Sequence, residues 1–250
     1  MKNILPAFLV LALSHAAQAY DFESGSGSLE DLSFSDGGSF SLQTSANGST
    51  GLSLGSHQTD AFTSYGLSDP SVCDIFSVGS TLSMSFDLLY TTSANTNVLN
   101  WGFADLATGT SISGFSAGYS GSSFEFGVSA GPASSGSGAS VTSSTTGSSL
   151  FVPDGSYLVD FSVTSLGSDQ FQVSSVVSDF TTGATVQGYS DTLTIAGLEG
   201  TNVHPMVGML SGRNTGGQSM VVDNFEVVPE PSSAVLSLLG AALFAGRRRR

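Results

Sequence analysis

Apolar and polar residues alternate with a period of two in one segment of this chain after another. In 81–90, Leu82, Met84, Phe86, Leu88 and Tyr90 fall on one face, opposite Thr81, Ser83, Ser85 and Asp87. In 157–166, Tyr157, Val159, Phe161 and Val163 oppose Asp160, Ser162 and Thr164. Phe124, Phe126 and Val128 repeat the pattern, as do Phe171, Val173 and Val177, then Leu193 and Ile195, and finally Val221, Phe225 and Val227. A period of two is the geometry of a strand, whose successive side chains point to opposite faces. Clusters of Gly, Ser, Asn and Asp between the segments supply the turns. Strands with one greasy and one polar face build antiparallel sheets packed in pairs. The pattern predicts about ten to fourteen strands over residues 20–227. The expected fold is all-β, a two-sheet antiparallel β-sandwich of the jelly-roll type. Tyr20-Asp21-Phe22-Glu23 and Val222-Asp223-Asn224-Phe225-Glu226 are expected to be neighbouring strands that close the domain. No fixed repeat period is visible, which counts against a solenoid; two smaller sandwiches remain an alternative. The Gly/Ser/Thr/Ala-rich stretch 131–149 is expected to be a long surface loop rather than a linker.

The two ends break this pattern. Residues 1–19 read as a signal peptide: Lys2 gives a positive start, Ile4 to Leu13 is apolar, and Ala17-Gln18-Ala19 fits small-x-small cleavage. A signal peptidase cutting between Ala19 and Tyr20 would leave Tyr20 at the mature N-terminus. The other end runs Val228-Pro229-Glu230-Pro231-Ser232-Ser233, then an apolar run from Ala234 to Gly246, then Arg247, Arg248, Arg249 and Arg250. Two prolines are expected to end the preceding structure and expose the segment. Thirteen residues make a helix of roughly 20 Å at ~1.5 Å per residue, short of the about 30 Å of a bilayer core. Snorkelling arginine stems narrow the gap. The expectation is a short C-terminal transmembrane helix serving as a temporary anchor. The arginines hold its end inside and leave the body outside.

The Pro229-Glu230-Pro231 motif, the apolar run and the terminal arginines together resemble the PEP-CTERM sorting domain, also called the ice-binding protein C-terminal domain. The resemblance covers residues 228–250. It implies recognition by an exosortase-like membrane protease that cuts near Pro229, Glu230 and Pro231. It further implies export across the inner membrane, transient anchoring, and delivery to the cell surface or the exopolysaccharide matrix of a Gram-negative bacterium. The plain alternative is an ordinary C-terminal anchor. The start-and-finish strand pattern of 20–227 resembles concanavalin-like and laminin-G-like jelly rolls, by pattern rather than by motif.

Composition narrows the function classes. Charged residues make up only 10% of the chain; an ordinary soluble domain has about 25%. Between Tyr20 and Val228 stand one base, Arg213, and nineteen acids, a balance of −18. So acidic a body repels phosphate backbones, which argues against a nucleic-acid partner. It keeps the protein soluble and attracts cations. Cys73 is the single cysteine, so no intramolecular disulfide forms, and a small core residue is the expected role.

Little in the chain reads as a catalytic site. His57 and His204 are the body's only histidines and fit no metal-ligand pattern. Gly51-Leu52-Ser53-Leu54-Gly55 and Gly114-Phe115-Ser116-Ala117-Gly118 match GxSxG. That motif works only on a strand–turn–helix elbow, and no such helix follows either. Asp87, Glu125 and Asp160 sit where a jelly-roll glycosidase would place a carboxylate pair, but acids occupy solvent-facing positions throughout this body. For sugar contact, Trp101 and Tyr119 are the candidates, with Tyr65, Tyr90 and Tyr189 beside them; a core place for Trp101 is the competing reading. Asp31 and Asp36, or Asp69 and Asp74, flank turns where a structural calcium would fit, without an EF-hand pattern. No catalytic residue, resident metal or cofactor is assigned. The expected function is a non-catalytic structural or adhesive module, with exopolysaccharide as a partner. The alternatives are a secreted glycan-active enzyme, and an ice- or surface-binding module built on the Thr/Ser-rich segments 142–146 and 181–185.

Overall fold

The computed structural model describes residues 18–20, 32–35, 40–55, 63–67, 78–90, 97–105, 108, 110–118, 124–132, 141–147, 151–152, 154–211 and 219–230. Within them the chain forms β1 (Gln18–Tyr20), β2 (Leu32–Ser35), β3 (Phe40–Thr44), β4 (Thr50–Gly55) and β5 (Thr63–Leu67). There follow β6 (Thr81–Tyr90), β7 (Asn97–Asp105), β8 (Thr110–Gly118), β9 (Phe124–Pro132) and β10 (Val141–Gly147). The last five are β11 (Gly155–Gly167), β12 (Gln170–Asp179), β13 (Thr185–Thr194), β14 (His204–Ser211) and β15 (Ser219–Glu230).

These strands make two sheets. The eight-stranded sheet runs β13-β12-β11-β6-β15-β4-β3, with β1 also on β15. The seven-stranded sheet runs β10-β9-β8-β7-β14-β5-β2. Every ladder is antiparallel. The all-β sandwich expected from the alternation is therefore what forms. Of the segment expected to close the domain, Tyr20 stands opposite Phe225, and residues 21–23 lie outside the described residues; the other two residues of β1, Gln18 and Ala19, stand opposite Val227 and Glu226 and belong to the expected signal peptide.

The inward residues of the two sheets meet in one apolar core. Phe86, Trp101, Phe103, Phe161, Phe171, Phe225 and Leu52 are its largest fully buried side chains. Burying one such ring contributes about 1.5–3 kcal/mol. Trp101 stands edge-on to Phe86 at 6.3 Å and lies 6.2 Å from Phe126, so it joins the sheets at their centre. Its Nε1 donates to Ser175 Oγ at 3.1 Å, which satisfies the one polar atom of the ring. Gly114 on β8 makes room for it: a Cβ there would fall 2.5 Å from both Trp101 Nε1 and Ser175 Oγ.

Fourteen strands, β2 to β15, lie between Leu32 and Glu230, within the number the alternation predicts; β1 adds three residues before them. Two expectations need correction. The stretch 131–149 is not all loop. Its residues 141–147 form β10, an edge strand paired with β9, where β-branched Val141, Thr142, Thr145 and Thr146 suit a pleated ladder without apolar alternation. The prolines do not end β15 at Val228 either. Pro229 stands opposite Leu82 and Glu230 opposite Thr81. Beyond Val227, β15 has β6 on one side and no described strand on the other, the setting in which a strand tolerates proline. The expected signal peptide up to Ala17 and the apolar run 234–246 lie outside the described residues. Among those described, no helix is long and apolar enough to cross a membrane.

Candidate functional site: an acidic face of the eight-stranded sheet

A β-bulge builds the site. Asp223 and Glu226 are three residues apart, so a regular strand would point them to opposite faces. The pairing of β15 with β6 slips between them, and Asn224 takes up the slack in the left-handed region at φ 46°. Asp223 then stands opposite Asp87, and Glu226 opposite Ser85. On β6 these partners alternate with the core residues Phe86 and Leu88. Asp87, Asp223, Ser85 and Glu226 therefore share the outer face. One strand further on, Asp160 of β11 stands opposite Ser85 and completes the row Asp160–Ser85–Glu226.

The Asp87–Asp223 end of this face is covered. The turn between β3 and β4, with Gly48 at φ 86°, brings Ser45, Asn47 and Ser49 over it. Asp223 has no exposed surface and Asp87 has 6%. Asp223 Oδ2 accepts from Ser45 Oγ at 2.9 Å and from Ser49 Oγ. Asp87 Oδ2 accepts from Asn224 Nδ2 at 2.6 Å and from Asn47 Nδ2 at 3.4 Å. Burial pushes the Asp87 carboxyl above its usual range; the Asn224 bond pulls it down, and the neighbouring Asp223 charge pushes it up again. Asp223 Oδ1 is buried with no hydrogen-bond partner.

The Asp160–Glu226 end is open. A depression of about 200 Å³ is lined by Ser85, Asp160, Ser162, Ser174, Val176 and Glu226, among others. Two strand spacings, roughly 10 Å, separate the backbones of Asp160 and Glu226. Loss of hydration in the depression raises the Asp160 carboxyl above its usual range.

The candidates drawn from the sequence fall out as follows. Of the carboxylates Asp87, Glu125 and Asp160, the structure puts Asp87 in the covered cluster and Asp160 in the open groove. The Glu125 side chain lies outside the described residues. Trp101 has no exposed surface, so it is a core residue and not a ligand contact; its strand turns it inward between the sheets. Tyr90 is buried against Phe151 at 5.1 Å. Tyr119, Cys73, His57 and the aspartates 31, 36, 69 and 74 lie outside the described residues. Both GxSxG matches run within strands, β4 and β8, so neither forms a nucleophile elbow. Thr181 and Thr182 form the β12–β13 turn, donating through their amides to Asp179 Oδ1. Ser45, Asn47, Ser49, Asn224 and Glu226 were not singled out in the sequence. The available signal was the sequence Val222-Asp223-Asn224-Phe225-Glu226, where the apolar alternation slips by one.

Solved structures share this fold. Similar solved structures include a protein of unknown function from Shewanella oneidensis, at TM-score 0.60 and 15% identity over 92% of this chain and 95% of that one. Lectin UEA-II complexed with galactose gives TM-score 0.57 and 11% identity over 86% and 99%. The PL-14 alginate lyase from Aplysia kurodai gives 0.51 and 12% over 77% and 87%. At these identities the likeness is one of fold: the body is a lectin-like β-sandwich. Residues 227–250 match the PEP-CTERM protein-sorting motif, so the chain ends in the sorting tail of an exported protein. No curated protein matches the sequence.

Proposed function

We propose that this protein is delivered to the cell surface or extracellular matrix and holds a polysaccharide there without cutting it. The support is the open groove on the outer face of a lectin-like sandwich whose chain ends in a sorting tail. Serine hydroxyls and carboxylates line that groove, and such groups hydrogen-bond sugar hydroxyls. No lysine or arginine stands among the described residues, and Arg213 is the body's only base. An acid-lined groove repels anionic polymers, so the ligand is a neutral or amine-bearing glycan.

In this account a signal peptidase cuts after Ala19, leaving Tyr20 as the first rung opposite Phe225. The apolar run and Arg247–Arg250 hold the chain in the inner membrane until an exosortase-like protease cuts near Pro229, Glu230 and Pro231. Intact mass of the secreted protein from an exosortase-bearing host tests the sorting step. A C-terminus between Pro229 and Ser233 is expected; a protein retained in the membrane and still ending at Arg250 would make the tail a plain anchor.

One observation favours a second reading. Asp160, with its raised carboxyl, and Glu226 line one groove, and a pair of carboxylates flanking the bond is what glycoside hydrolysis uses. Glycan hydrolysis would follow, with Asp160 as acid and Glu226 as base. Incubation with the glycans the protein retains, followed by an assay for new reducing ends, separates the two. Retention without new ends is expected. New ends that disappear in Asp160→Asn would make the protein an enzyme.

A further inference from the structure

The covered cluster contains more oxygen than its protons can serve. Ser45 Oγ, Ser49 Oγ, Asn47 Oδ1 and Asp223 Oδ2 are joined by five close contacts. Those between Ser45 and Asn47, Ser45 and Ser49, and Ser45 and Asp223 measure 2.7, 2.9 and 2.9 Å; Ser49 closes the other two, on Asn47 and Asp223. The only side-chain protons available to these contacts are the two hydroxyl protons. The Ser49 amide donates to Asn47 Oδ1 as well, at 2.8 Å, but leaves the other contacts unserved.

Charge makes the same demand. Asp223 and Asp87 face each other in register on neighbouring strands, both buried, with no basic side chain among the described residues. Buried carboxylates need a positive partner or a proton. A proton on Asp223 Oδ1 would find nothing to donate to, because that oxygen has no partner within hydrogen-bonding reach. Its other oxygen already accepts from two hydroxyls.

We propose that Asp223, Asp87, Asn47, Ser45 and Ser49 form a binding site for a calcium-class divalent cation that locks the β3–β4 turn onto the β15 bulge. No three His, Cys, Asp or Glu side chains among the described residues come together so as to hold a metal ion; the site relies on amide and hydroxyl oxygens to complete an all-oxygen shell. Calcium accepts such mixed and irregular sets, whereas magnesium demands a tight octahedron. With two carboxylates the affinity belongs to the weak range of extracellular modules, about 0.1–1 mM, which suits an exported protein. The site lies one rung from the open groove, since Asp87 and Ser85 are successive outward residues of β6, yet it does not depend on what the groove binds.

The test uses the full secreted chain, stripped with EDTA and titrated separately with calcium, magnesium and sodium chlorides. Calorimetry is expected to show one calcium per chain in the stated range, with a rise in Tm that magnesium and sodium do not match. Asp223→Asn is expected to weaken binding at least tenfold. Ser49→Ala, a milder change that keeps both carboxylates, is expected to weaken it several-fold, and Asp160→Asn to leave it unchanged. Absence of heat and of any Tm shift at calcium levels well above that range would overturn the proposal. Binding that survives both Asp223→Asn and Ser49→Ala would also overturn it, since the ions would then sit elsewhere on the acidic surface.

Discussion

Two pairs of carboxylates stand on one face of one sheet, a rung apart, and the chain treats them differently. Asp87 and Asp223 are roofed by the β3–β4 turn and ringed by Ser45, Asn47, Ser49 and Asn224. Asp160 and Glu226 flank an open groove with Ser85 between them. The difference teaches that an outward position on a strand does not decide exposure. A short turn folded over two strands converts two surface acids into a buried, organised cluster. The neighbouring pair stays free to meet a ligand. In the two proposals above, the covered pair bears on stability and cations, and the open pair on recognition.

The largest expected effect tests what the pairs share. Phe86 lies between Ser85 and Asp87 in sequence and is fully buried beneath both pairs. Phe86→Ala is expected to cost about 3–5 kcal/mol in denaturant unfolding and to weaken both glycan retention and calcium binding. Loss of one activity alone would show that the two sites stand on separate supports. Next in size, Ser45→Val removes a hydroxyl that reaches the buried Asp223. It is expected to cost about 1–3 kcal/mol while leaving glycan retention intact.

A smaller effect separates the pairs by pH. The folded Asp87 carboxyl titrates above its unfolded value of 3.8. Its protonation therefore favours folding: that stability is fully present below the unfolded value and is lost as pH rises through the folded one. Cation-free protein is expected to gain stability as pH falls from neutral toward that window, and Asp87→Asn to flatten the gain. Asp223, Asn47 and Asn224 face this group, and none of them supplies a cation to offset it. An unchanged slope in Asp87→Asn would assign the pH response to the open pair, where Asp160 is raised too. The smallest effect is Asp160→Asn itself, expected to change stability by no more than about 0.5 kcal/mol while it weakens glycan retention.

Much of the scaffold was legible in the alternation. Leu82 to Tyr90 and Tyr157 to Val163 predict β6 and β11, and they pair directly in the centre of the eight-stranded sheet. The closure of Tyr20 on Phe225 was legible too, because matching segments at the two ends of a domain are natural neighbours. β10 was not, since an edge strand of threonine and serine carries no apolar period. The covered cluster was hidden for another reason: Asp87 reads as solvent-facing by alternation, and only tertiary contact with a turn forty residues earlier buries it. Trp101 drew notice as a rare aromatic, yet its rarity says nothing about which way its strand faces. Glu226 was invisible as a partner of Asp160, because only the bulge at Asn224 turns it outward.

The most direct test of the working surface is a glycan microarray probed with the secreted wild-type protein and with the Asp160→Asn, Glu226→Gln double variant. The account predicts that wild type retains neutral or amine-bearing glycans, that anionic polymers are not retained, and that the double variant loses retention while its Tm is unchanged. Equal retention by both proteins, or a preference for anionic glycans, would contradict the assignment of ligand binding to the open acidic groove.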